Sequence, residues 1–146
     1  MRIVSGLFTV FVLGSMLGCD AGPSCGSVTD GPGTPSLQFT KVPPIGSTDS
    51  LEGRVEHVAP VDYFVAVYIK VNGGWWTKPT FADPDTSINC DGSWTADITT
   101  GGEDTQATAI SAFLLPIGYA PPALGGSQEL PQELFTNSVA SASVVR

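Results

Sequence analysis

Trp75 and Trp76 stand side by side in a chain with three tryptophans, and these two side chains are the best suited to recognition chemistry. Neighbours on a strand point to opposite faces, so a strand through this pair sends one indole into a core and the other outward. An outward indole is a flat apolar platform with a donor edge, suited to stacking on a sugar ring or anchoring a protein partner. Tyr68, Lys78 and Tyr119 are the candidates to extend such a patch. The opposing reading has both indoles covering the two faces of a small domain, one of them roofed by Pro/Gly loops. Trp94 shares its face with Ala96 and Ile98 and reads as core.

Catalytic constellations are weaker. His57 is the only histidine, and a small hydrolase would need it in a cleft beside a serine or a carboxylate. Placed at the end of a strand that alternates with charged residues, His57 reads as a strand-end surface residue. Fourteen acidic residues make chance pairing of carboxylates easy, so no glycosidase pair stands out. Gly101-Gly102 lacks the downstream GK[ST] of a phosphate cradle. Asp83-Pro84-Asp85, with Asp91 and Asp97, offers oxygen ligands but not the spaced carboxylates and bidentate Glu of a calcium loop. These acids read as solvated turn residues, as does Glu103-Asp104. Without a CxxC pair or a Cys/His cluster, a zinc site is not expected. The expectation is a protein that is not an enzyme and holds no metal or cofactor.

The elements that would position these residues are strands and turns. Leu37 and Phe39 alternate with polar neighbours, and Leu51, Gly53 and Val55 alternate with Glu52, Arg54 and Glu56. Asp62 to Val71 is apolar on both faces, which predicts a central strand or one whose outer face is also covered. Asn72-Gly73 supplies the positive φ angles of a tight hairpin, so Trp75 and Trp76 open the returning strand. Asp91-Gly92 predicts a second hairpin, between Thr86–Cys90 and Ser93–Ile98. Further strands are expected over Gln106–Leu115 and Asn137–Val145, with one helical turn over Leu130–Phe135. Pro/Gly-rich loops separate them at 43–46, 99–104 and 118–126. Seven or eight short strands in about 110 residues predict a single antiparallel β-sandwich, immunoglobulin-like, with a transthyretin-like sandwich or a small barrel as alternatives.

The first nineteen residues are of another kind. Arg2 is followed by an apolar run from Ile3 to Leu17, and the stretch ends in Met16-Leu17-Gly18-Cys19. As a helix, fifteen residues span only about 22 Å, short of the roughly 30 Å hydrocarbon core of a bilayer, which fits a removable signal. The stretch resembles the signal and lipobox of bacterial prolipoproteins, with Met16 and Leu17 departing from the usual leucine and small residue. That resemblance implies cleavage after Gly18, lipid on Cys19, and a place in the bacterial cell envelope, anchored to a membrane and outside the cytoplasm; the alternative is an ordinary secretory signal cut nearby, with Cys19 an incidental thiol.

Removal of residues 1–18 leaves 128 residues, in which five basic side chains face fourteen acidic ones, a net charge of −9. Such a balance, with no basic cluster, excludes nucleic acid as a partner and disfavours a polybasic grip on anionic lipid. Membrane attachment must then come from the lipid. Residues 19–35 are rich in Gly, Pro, Ser and Asp and read as the lipidated cysteine and a flexible tether, with the folded domain over 36–146. Cys25 and Cys90 remain as an even pair in an exported chain. Either they form a bridge, closing a loop of about 66 residues and stabilising by roughly 4 kcal/mol, or both stay free.

The runs VPPIGS, LEGRVEHVAPVDYFVAVYIKVNGGWWTKP, DGSWTADITTGGED, ATAISAFLLP and GYAPP are similar to an all-β module of secreted bacterial proteins. Such modules often accompany carbohydrate-active domains. The resemblance covers almost the whole of the chain after the signal, and it implies an accessory role acting in trans. The function expected is a non-catalytic envelope lipoprotein binding a polysaccharide or a surface protein through an aromatic patch. The alternative is a structural or assembly lipoprotein without a ligand site.

Overall fold

The run Tyr63–Val71 is apolar on both faces, and the architecture follows from what covers each of them. The computed structural model describes residues 25–146; the expected signal segment 1–18 and the expected lipidation site Cys19 lie outside the described residues. Nine strands are described: β1 (Ser36–Lys41), β2 (Leu51–Glu56), β3 (Tyr63–Val71), β4 (Gly74–Lys78), β5 (Asp85–Thr86), β6 (Ser93–Ala96), β7 (Ala109–Pro116), β8 (Gly125–Ser127) and β9 (Ala140–Val145). One short helix, α1 (Gln132–Asn137), precedes the last strand. All pairings are antiparallel. A small sheet runs β1-β2-β6 and a large one β8-β4-β3-β7-β9, with β5 pairing β3 beyond the end of β4. The two sheets pack face to face as a β-sandwich.

Register decides which side chains enter the core. Val65, Val67 and Ile69 of β3 lie opposite Leu114, Ala112 and Ile110 of β7, and all six face the small sheet. Leu37, Leu51, Val55, Trp94 and Ala96 meet them from the other side. Trp94 lies across Gly53, its partner on β2, where a Cβ would come within 2.2 Å of the indole. Glycine is the one residue that leaves room for this ring.

The other face of β3 and β7 carries Phe64, Ala66, Tyr68, Phe113 and Leu115. It is covered by the return segment 117–137, which lays Leu124 and Leu134 on it. Two hydrogen bonds between Leu124 and Thr77 of β4, at 2.9 and 2.7 Å, clip this segment down. Phe113 and Phe135 meet edge to face with centroids 5.0 Å apart. A second core outside the sandwich explains why β3 is apolar on both sides.

The structure differs from the sequence reading in three places. The arm Thr86–Cys90 does not form one strand: β5 joins the large sheet, and Ile88 bridges Trp94 in the small one, so the chain crosses between sheets there. The loop 118–126 contributes β8, an edge strand that no alternation announces. The expected tether is docked from Cys25 onward. Thr29 donates from its amide to the Val58 carbonyl at 3.0 Å and accepts from the His57 amide at 2.9 Å, and its hydroxyl bonds the same strand exit. Asp30 pairs with Arg54 at 2.8 Å. Cys25 is joined to Cys90 by a disulfide, with the two Cα atoms 4.4 Å apart. Composition measures only what side chains can bury, whereas this segment is held by backbone hydrogen bonds and a covalent link.

Candidate binding site

The Asn72-Gly73 turn, with φ of +50° and +81°, reverses the chain from β3 into β4 and aims the two tryptophans to opposite sides. Trp75 turns to the outer face and is buried under the return segment, with the Lys70 ammonium 5.6 Å from its ring centroid. Trp76, opposite Ile69, turns to the inner face. There β4 extends the large sheet past β3, and it is met by the loop 99–106 rather than by a strand of the small sheet. A cleft of about 430 Å³ opens between them. Trp76, 38% exposed, and Phe81, 57% exposed, form its aromatic walls.

The floor is polar and closed on itself. Lys78 is buried and donates to Asp104, whose carboxylate also accepts from the Gly101 amide at 2.9 Å. Lys78 donates as well to the Thr100 hydroxyl at 3.1 Å, and that hydroxyl donates to the Pro79 carbonyl at 2.5 Å. The Lys78–Pro79 peptide bond is cis, and Thr80 and Phe81 follow it along the rim. On the other rim Asn72 donates to Glu103 at 2.5 Å, tying the hairpin to the loop. The result is two aromatic surfaces over an internally neutralised base. That arrangement suits a ligand with apolar faces and hydroxyl edges.

The expected patch divides between two faces of one sheet. Trp76 and Lys78 share the cleft. Trp75, Tyr68 and Tyr119 belong to the opposite face. Tyr68 is fully buried and donates its hydroxyl to the Pro122 carbonyl at 2.9 Å, and burial pushes its pKa above the ordinary phenol value. Tyr119 is half-buried and shifted the same way by desolvation and by Glu133. Phe81 and Thr100 went unsingled in the sequence, and Asp104, expected as a solvated turn residue, is instead buried because the 99–106 loop folds it onto Lys78. A lone phenylalanine inside the Pro79–Pro84 loop was the signal available, because an apolar ring in a turn-forming stretch has no strand face to fill.

The remaining candidates lie outside the cleft and make local contacts. His57, at φ +62°, sets its ring against Gly33, and its Nδ1 lies 3.0 Å from the Gly31 carbonyl. Asp91 caps Ser93 and Asp97 caps Thr99. The hydrogen bonds of Ser93 hold the Asp91 carboxyl below its usual range. Asp85 is pushed up by burial and by Asp83. Among the described residues no group of three or more His, Cys, Asp or Glu is placed to hold a metal ion. No helix there is long and apolar enough to cross a membrane.

Fold and site together define an all-β sandwich with an aromatic-walled cleft at the margin of its larger sheet. No protein-family model matches the chain, and no match emerges among the curated proteins or the solved structures.

Proposed function

We propose that this protein is a non-catalytic binding module of the bacterial envelope, which takes a glycan in the cleft between Trp76 and Phe81 and is carried at a membrane by lipid on Cys19. The observation that carries the reading is two exposed aromatic rings over a floor where Lys78 and Asp104 neutralise each other. Exposed large rings cost hydration free energy in a free protein, and a sugar's apolar face relieves it. Lysine and aspartate that engage each other, with the Thr100 hydroxyl held between Lys78 and the Pro79 carbonyl, favour binding over catalysis.

The strand order supports the immunoglobulin-like subclass: β1-β2-β6 against β4-β3-β7-β9 matches A-B-E against C′-C-F-G.

Tryptophan fluorescence of the protein tests the reading. Iodide should quench emission from Trp76, and polysaccharide should relieve the quenching; Trp76→Ala should abolish both effects. Emission that no glycan alters sinks the glycan reading. Anchoring is tested separately by labelling cells with radioactive palmitate, which Cys19→Ser should prevent.

A further inference from the structure

The cleft is not the end of the depression around Trp76. A second hollow of about 460 Å³ lies on the other side of this residue, lined by Gly73, Gly74, Gly126 and Gln128. Val71, Asn72 and Trp76 are walls of both hollows. Gly126, at φ +101°, is what allows this: a Cβ there would lie 3.2 Å from Cζ2 of Trp76, so the indole rests directly on the β8 backbone. Trp76 is therefore a ridge between two basins, one with Phe81 as its second aromatic wall and the other walled by three glycines and Gln128.

Charge narrows the occupant. Of the five basic side chains among the described residues, three are paired with carboxylates, Lys41 with Asp49, Arg54 with Asp30 and Lys78 with Asp104, and the other two, Lys70 over Trp75 and Arg146 on the Thr105 carbonyl, line neither hollow. Lys78 is the only cation among the described residues that line either hollow, and Glu103 adds a negative charge to the rim. The chain as a whole carries −8. A polyanion would meet repulsion with no unpaired cation among the described residues lining either hollow to offset it.

We propose that the two hollows form one groove for an uncharged glycan chain of several sugar units, which crosses Trp76 and stacks on it. This inference rests on the glycan reading of the cleft and names the class of ligand. Each basin falls within the ~300–1,000 Å³ of an ordinary small-ligand site, so a single sugar unit has room in one and a chain is needed to occupy both.

The experiment is calorimetric titration of the protein with neutral gluco-, manno-, galacto- and chito-oligosaccharides from one to six units, and with oligogalacturonate of the same lengths. In the series that binds, affinity should rise about tenfold or more between one and four units. Gln128→Ala, an exposed change in the second hollow, should remove most of that rise while leaving the shortest ligands unaffected. Binding that depends on Trp76 but not on length overturns the two-basin groove and leaves the glycan reading standing. Oligogalacturonate binding as tightly as the neutral chains overturns the assignment of an uncharged ligand. No binding by any glycan overturns both readings together.

Discussion

Lys78 and Asp104, 26 positions apart in sequence, form a buried ion pair that joins the end of β4 to the loop on the far side of the cleft. Their side chains are only 9% and 12% exposed. Removing one partner leaves the other buried without compensation. Asp104→Ala should therefore destabilise by about 3–5 kcal/mol, and Lys78→Met combined with Asp104→Leu should recover most of the loss. Urea unfolding of the three variants checks this; a double variant as unstable as the single one would contradict it.

Gly53 should tolerate no side chain. A Cβ at this position would stand 2.2 Å from the Trp94 ring, held in the core, and 2.6 Å from the Gln38 carbonyl, held in the β1–β2 pairing. Gly53→Ala should cost about 3 kcal/mol or more, near the upper end of overpacking effects. Gly101→Ala, where a Cβ meets nothing within 4 Å, is the control and should change the melting temperature little.

The Cys25–Cys90 bridge closes 65 positions of chain. Replacing both cysteines by serine should lower stability by about 4 kcal/mol. It should also free the strap at Thr29, so that the amides of Thr29 and His57, bonded at 3.0 and 2.9 Å, lose hydrogen-exchange protection before the core strands do. Simultaneous loss everywhere would show that the strap is no separate unit.

Alkaline stability should fall because of Tyr68. Its pKa is raised in the folded state by burial, so above the unfolded value of about 10 the unfolded chain gives up the proton first. The folded form then binds more protons, and stability declines as pH rises from there toward the folded pKa. Tyr119 shifts the same way and adds to the slope. Tyr68→Phe should cost about 1 kcal/mol at neutral pH through the lost bond to Pro122 and should flatten the alkaline decline. Denaturant titrations at several pH values between neutrality and strong alkali measure both effects.

Much of the fold is legible residue by residue. Alternation in Leu51–Glu56, two-sided apolarity in Tyr63–Val71 and the Asn72-Gly73 turn are local signals, and they became β2, β3 and the hairpin into β4. That adjacent tryptophans must part was equally local, since strand geometry alone separates them. Which indole would be exposed was not. Trp75 is covered because residues 117–137 return across the outer face, and Trp76 is open because the small sheet stops short of β4. Lys78 with Asp104, Thr29 with the exit of β2, and Phe81 beside Trp76 are likewise products of sheet order and loop return. A two-residue period states that a strand has two faces; only contacts between distant segments decide what each face meets.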